Sequence, residues 1–169
     1  MIEAERIYLR PVALADAAFI LELQNTPKWL KYIGDRNIRS IEDAQKTIQE
    51  KMIDHYDKHG YGNFVIVNKE GQQSLGTCGL FNRPGLEGVD IGFALLPNFE
   101  GKGFGAEAAF ALLAHAKDQL KLKKVGAIAL PENAASVHLI KKLGLEFVKQ
   151  VKLPGDPVSL DYYEIQLNK

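Results

Sequence analysis

The stretch Pro97 to Phe110, PNFEGKGFGAEAAF, sets Gly101, Gly103 and Gly105 at alternate positions and follows them at once with Ala106, Glu107, Ala108 and Ala109. Glycine costs backbone entropy on ordering, so such a cluster marks an awkward turn or close approach of something to the backbone. The alanine-rich run reads as a helix, whose unpaired N–H groups and positive dipole end then face the loop. Loop and helix together form an anion cradle, and a phosphate group is its usual occupant. A tight strand-to-helix turn by itself needs one glycine rather than three.

Working outward, Val89 to Leu96 reads as the strand leading into the loop, and Ala109, Leu112, Leu113, Ala116 and Leu120 mark the buried face of the helix leaving it. Lys124 to Leu130 predicts a strand, Asn133 to Leu143 a helix closed by Gly144, Leu145 to Val151 a strand and Leu160 to Leu167 a last strand. Upstream, Arg6 to Val12 alternates like a half-buried strand whose regular pairing ends at Pro11. Leu14 to Gln24 predicts a helix with Leu14, Ala17, Ala18 and Leu21 on one face. Thr26 caps a short helix that begins at Pro27, and Ser40 opens a third helix. That third helix carries Ile41, Ala44, Ile48, Met52 and Tyr56 on one stripe, and Gly60 closes it. Asn63 to Asn68 and Ser74 to Asn82 are strands, and the turns NKEGQQ and RPGLEG are short enough for antiparallel hairpins. With no repeat or linker, the expectation is an α+β fold over residues 1–169 as a single domain, with a mixed and mostly antiparallel sheet.

The 169 residues suit one core, and 46% hydrophobic with 25% charged residues is ordinary for a globular chain. Lys plus Arg and Asp plus Glu each number 21, so no overall field draws in nucleic acid or an anionic membrane; any anion site is local. The single cysteine, Cys78, rules out an internal disulfide and sits in an apolar run that suits a buried, inert thiol. The N-terminus lacks a signal-peptide pattern and no apolar run reaches membrane-spanning length, so a cytoplasmic protein is expected.

Which phosphate ligand suits the loop can be narrowed. A P-loop requires Gly-x-x-x-x-Gly-Lys-Ser/Thr, and here Gly103 follows Lys102 with no hydroxyl. Gly101, Gly103 and Ala106 do fit a dinucleotide fingerprint, but that fold wants an acid closing the next strand, and Glu132 arrives only after Pro131. Val89 to Phe147 instead resembles the GNAT N-acetyltransferase superfamily, most of all its ribosomal-protein alanine acetyltransferase branch. Glu100 to Gly105 matches that family's acetyl-CoA loop, Asn133 to Ser136 its Asn-x-x-Ser, and KKLGLEF the residues that follow. IYLRPVALADA is similar to the opening of that branch.

The resemblance implies a GNAT-like fold with helices flanking a twisted sheet and a splayed strand pair holding the cofactor. It implies acetyl-CoA as co-substrate, bound by Gly101, Lys102, Gly103, Phe104, Gly105 and Ala106 at the pyrophosphate and by backbone around Phe93 and Leu95 at the pantetheine. Asn133 would hydrogen bond to the pantetheine amide, and Lys141 or Lys142 would meet the 3′-phosphate. Gly92 suits either a bulge that splays the strands or simple close packing. Glu100 departs from the family's basic or amide residue; either it points away or it repels the pyrophosphate.

Acetyl transfer to an amine needs a held carbonyl, a deprotonated amine and a way out for the thiolate. Amines with pKa values of roughly 8 to 10 are mostly protonated at neutral pH, so a base is useful. By resemblance Asp90 is that base, against a solvated strand-start carboxylate, with Glu87 in reserve. Ser136 is the acid near sulfur, against a plain helix hydroxyl, with Tyr162 and Tyr163 as rivals. Trp29 and Tyr32 would line the acceptor side, with Tyr56, unless they only pack the core. His55 and His59 stand four apart without a third ligand and read as surface residues; no metal is expected. His115 and His138 read as packing or surface groups.

The reading is therefore an acetyl-CoA-dependent N-acetyltransferase acting on a primary amine, a protein N-terminus or a small molecule. A non-catalytic acyl-CoA sensor and a dinucleotide-binding enzyme are the alternatives, and the assembly state, homodimer included, stays open.

Overall fold

The computed structural model describes residues 1–168. Eight strands form one sheet: β1 (Ile2–Glu3), β2 (Ile7–Pro11), β3 (Asn63–Asn68), β4 (Ser74–Phe81), β5 (Asp90–Leu95), β6 (Lys124–Ala129), β7 (Glu146–Val151) and β8 (Leu160–Gln166), in the order β1-β2-β3-β4-β5-β6-β8-β7. Every neighbouring pair is antiparallel except β5 and β6. β1 is absent from the sequence reading because two residues are too few to show a period.

Helices cover both faces. α1 (Ala17–Leu23), α2 (Pro27–Tyr32), α3 (Ile41–Thr47) and α4 (Asp54–His59) precede β3; α5 (Phe104–Asp118) and α6 (Ala134–Lys142) flank β6. β3 shows why its sequence is an unbroken apolar run: Phe64 and Ile66 enter one core and Val65 and Val67 the other. The first core is closed by Ala108, Ala109, Leu112 and Ala116 of α5, each fully buried, and the second by Ala17, Ile20, Ala44 and Ile48. Burying each leucine-sized side chain is worth about 1.5–3 kcal/mol, so these two faces hold the helices to the sheet.

The caps read from sequence form. The Thr26 hydroxyl accepts from the Trp29 amide and Ser40 from the Asp43 amide, while Gly60 ends α4 in the left-handed region at φ 78°. Two expectations change. Leu14 lies in a 3₁₀ turn ahead of α1 and is 43% exposed, and Ala18 is exposed too; the buried face is Ala17, Ile20 and Leu23. A 3₁₀ turn takes about 3.0 residues rather than 3.6, which shifts the face. The third helix is also not uniform, since Ile48–Ile53 between α3 and α4 is π-helical, and its first stripe residue, Ile41, is 39% exposed.

What positions the site is the parting of β5 from β6. They pair at one point, Asp90 opposite Gly126, with the Gly126 amide donating to the Val89 carbonyl over 2.8 Å. Beyond it β5 keeps an unbroken register with β4, from Phe81 opposite Asp90 to Gly76 opposite Leu95. Gly92 therefore makes no bulge. A Cβ there would come within 3.0 Å of the Phe81 ring, so close packing is its role.

Candidate active site

The parted strands open into a cleft of about 1640 Å³. Single-ligand pockets span roughly 300–1,000 Å³, so this one has room for two reactants. From the sheet come Asp90, Phe93 and Leu95; from the loop Gly101 and Gly103; from the first turn of α5 Gly105 and Ala106; from α6 and its cap Asn133, Ser136 and Lys142; from α2 Trp29 and Tyr32. The structure thus brings most of the sequence-predicted residues around one space.

The glycine question has a divided answer. Gly101 and Gly103 stand at φ 74° and 84°, the left-handed region, with Gly103 capping α5. Gly105 is buried, and a Cβ there would touch Leu95 and Leu139 at ordinary distance. Two glycines shape the turn and the third allows close packing.

Arg6, a residue the sequence reading did not single out, braces this loop. Its guanidinium donates to the Lys102 carbonyl (3.0 Å) and to Glu107 (2.7 Å), its backbone N–H donates to the same carboxylate (2.6 Å), and it lies 4.3 Å over the Phe104 ring. Burial pushes Glu107 up, but these Arg6 contacts prevail and hold it below the usual carboxylate range. Lys102 and Phe104 do not line the cleft: the Phe104 ring is buried in the core. Glu100 does face the cleft and is ion-paired with Lys28 of α2.

Asp90 is 1% exposed, which excludes a solvated strand-start carboxylate. Arg83 Nε donates to its Oδ2 over 2.8 Å, while Oδ1 is buried without a partner. Burial lifts Asp90 above the ordinary carboxylate range, with Arg83 pulling the other way. Glu87 is exposed on the preceding loop and does not line the cleft.

At the opposite wall Asn133 caps α6, its Oδ1 accepting from the Ser136 amide over 3.3 Å, so its amide nitrogen stays available to a ligand. Ser136 lies in the first turn and presents to the same cleft. Lys142 lines the cleft; Lys141 faces a separate hollow with Gly144 and Phe147. Neither tyrosine of β8 lines the cleft. The Tyr162 hydroxyl donates to Glu164 over 3.1 Å, and burial with that carboxylate pushes it up to about 12. Tyr163 sits in the core against Phe147. Cys78 is buried in β4, its thiol pushed up to about 12 by burial, which suits an inert packing group.

His55 differs from its sequence reading. Together with His59 it is half-buried and lines the cleft. Among the described residues no group of three or more His, Cys, Asp and Glu could hold a metal ion. No helix among them is long and apolar enough to cross a membrane.

A family model for the acetyltransferase (GNAT) domain matches residues 6–146. The chain belongs to the GNAT family. Among curated proteins it is similar to the uncharacterized N-acetyltransferase p20 of Bacillus licheniformis, 33% identical over 145 residues that cover 84% of this chain and 80% of that one. In fold it is similar to RimL, a ribosomal L7/L12 α-N-protein acetyltransferase solved with coenzyme A, at TM-score 0.84, 18% identity, and 99% and 98% coverage. Spermidine N-acetyltransferase from Vibrio cholerae, solved with CoA and spermine, gives TM-score 0.79, 19% identity and 97% coverage of each chain. As a GNAT protein it is an N-acetyltransferase, and its sheet is not the doubly wound parallel sheet of a dinucleotide enzyme, since one neighbouring pair alone is parallel.

Proposed function

We propose that the protein binds acetyl-CoA between β5 and β6 and transfers the acetyl group to a primary amine. One observation carries this reading: the free edge of β5 beyond Asp90 leads, through one 3₁₀ turn at Pro97–Phe99, to a left-handed glycine turn capping a 15-residue helix, and strand edge, glycine turn and helix start line one cleft. Bound acetyl-CoA supplies a thioester carbonyl open to attack and a thiol that leaves readily.

The chain's own groups do the rest. Backbone amides from Gly101 to Ala106 bind the pyrophosphate with the α5 dipole behind them, Lys102 and Phe104 contributing through backbone alone. The unpaired edge at Phe93 and Leu95 holds the pantetheine, and a β5 N–H polarises the thioester carbonyl. Asn133 takes the pantetheine amide and Lys142 the 3′-phosphate. Asp90 Oδ1 accepts a proton from the ammonium, and Ser136 assists departure of the thiolate. Trp29 and Tyr32 border the acceptor.

The test is excess acetyl-CoA with a panel of a peptide N-terminus, an amino acid, a polyamine and an aminoglycoside. Free CoA should appear with at least one of them. Binding without release in every case would favour an acyl-CoA sensor. Acetyl-CoA should also raise the melting temperature, since a ligand of the folded state stabilises it, whereas NADH and ATP should not.

A further inference from the structure

Among the described residues, the buried side-chain polar atoms without a hydrogen-bond partner are Gln24 Oε1, Trp29 Nε1, His55 Nε2 and Asp90 Oδ1. All four belong to residues that line the cleft. A buried polar atom left unmatched is costly, and its persistence calls for a reason. Two of the four are titratable.

The state of His55 follows from its neighbour. Its Nδ1 lies 3.1 Å from the Tyr61 carbonyl, which can only accept, so Nδ1 carries the hydrogen. In the neutral ring Nε2 is then a bare lone pair. Asp90 Oδ1 is a second bare acceptor, because Arg83 occupies Oδ2. One cluster joins the two residues. The His55 ring is 6.5 Å from that of Phe81, Phe81 is the register partner of Asp90, and Arg83 lies 4.7 Å over the Phe81 ring. Two neighbouring acceptors satisfy nothing while His55 is neutral. With a proton on Nε2, the imidazolium keeps Tyr61 through Nδ1–H and turns Nε2 into a donor; the two residues make no direct contact, so Nε2–H reaches Asp90 Oδ1 through an intervening water.

We propose that His55 is a proton-relay residue acting through Asp90. This rests on the acetyl-transfer reading above. The ammonium N–H bond breaks and its proton passes to Asp90 Oδ1, then across a bridging water to His55 Nε2. The freed lone pair forms the C–N bond as the C–S bond breaks. The second proton lost by the nitrogen ends on the departing thiolate. His55 suits the task because an imidazole can take a proton on one nitrogen while the other keeps its hydrogen bond, whereas Asp90 is already paired with Arg83. Charged and titratable groups around His55 are Asp54, Lys58 and His59 on its own helix, Tyr61 after it, Arg83 from the β4–β5 loop and Asp90 from β5. Burial, His55 and Lys58 hold His59, whose ring lies 4.5 Å from that of His55, below the usual imidazole range.

The decisive variant is His55→Asn, whose side-chain amide can keep the bond to the Tyr61 carbonyl while removing Nε2. Its CoA affinity by calorimetry should stay within about twofold, and turnover near pH 6.5 should fall by about 10²-fold. That deficit should shrink as pH rises toward the amine's own pKa. A wild-type rate and pH profile in His55→Asn would overturn the relay. An NMR titration of His55 in the free protein needs no acceptor: its midpoint should move to lower pH in Asp90→Asn. An unchanged His55 titration would also overturn the relay. Failure of the wild type to release CoA with any amine would instead count against the transfer reading alone.

Discussion

Lys28 of α2 is ion-paired with Glu100 at the foot of the glycine loop, which ties α2 to that loop along the cleft. The pair answers the electrostatic objection to a carboxylate there, since its charge is already compensated. Exposed pairs contribute about 0–1 kcal/mol, so Glu100→Gln should alter CoA affinity by less than about threefold. Lys28→Ala, which leaves the carboxylate facing the pyrophosphate, should weaken binding several-fold, and the double variant should recover most of it. Calorimetry of the three proteins decides; a severe loss in Glu100→Gln would give the carboxylate a positive role.

Gly103→Val should be far more damaging. At φ 84° a β-branched residue costs about 1–3 kcal/mol, and its side chain meets Arg6, whose Nη2 would lie 3.2 Å from the new Cβ. For a chain of this size about 1 kcal/mol corresponds to roughly 2–4 °C, so a melting temperature lower by several degrees is expected. Loss of the acetyl-CoA-induced rise in melting temperature should accompany it. A variant that keeps the wild-type rise would show that the loop backbone does not approach the ligand.

The two residues at the start of α6 should separate binding from turnover. Asn133→Ala removes both a helix cap, worth about 1 kcal/mol, and the proposed pantetheine contact, so it should chiefly weaken cofactor binding. Ser136→Ala should lower kcat modestly and leave affinity nearly intact, because a thiol leaves without much acid help. Stopped assays with a confirmed acceptor, alongside binding isotherms, would read both. A Ser136→Ala defect confined to affinity would remove the hydroxyl from the chemistry.

A stability prediction comes from Asp16, away from the cleft. Arg10 donates to both its oxygens, at 2.7 and 2.8 Å, and the Ala13 amide adds a third bond at 2.8 Å. Burial pushes Asp16 up, but Arg10 and Ala13 outweigh it and leave its pKa lowered. A carboxylate with a depressed folded-state pKa stabilises above its unfolded value, about 3.9, and that contribution disappears as pH falls through the folded value. Asp16→Asn should therefore cost about 1.5–3 kcal/mol in urea denaturation at pH 7, and the gap to wild type should narrow below pH 4. An equal gap at both pH values would mean that charge is not what the pair contributes.

The glycine loop, the start of α6 and the central hairpins were legible because they are written in local sequence. Gly101 and Gly103 declare a left-handed turn, Asn133 with Ser136 a capped helix, and β3 to β5 their own hairpins. What escaped depends on contacts between residues far apart in the chain. Arg6 meets Lys102 and Glu107 about a hundred positions away, and Lys28 meets Glu100. Nothing local to those basic residues marks them out. His55 was misread for the same reason, since the Tyr61 carbonyl and the Phe81 ring that surround it belong to later elements. Sequence spacing could say that His55 and His59 share a helical face, but not what that face meets.

The π-helical turn at Ile48–Ile53 sets the phase of everything after it. Ala44, Ile48, Met52 and Tyr56 recur every fourth residue, and an α-helix advancing about 100° per residue would let that stripe drift by about 40° at each step. Over three steps the drift reaches about 120°, a little more than one residue's rotation, most of which the extra residue in a π turn absorbs. Length and orientation are therefore interchangeable here. A chain one residue shorter between Ile48 and Ile53 could run as plain α-helix and still aim His55 into the cleft, whereas a full-length chain relaxing to α would swing it about 100° aside.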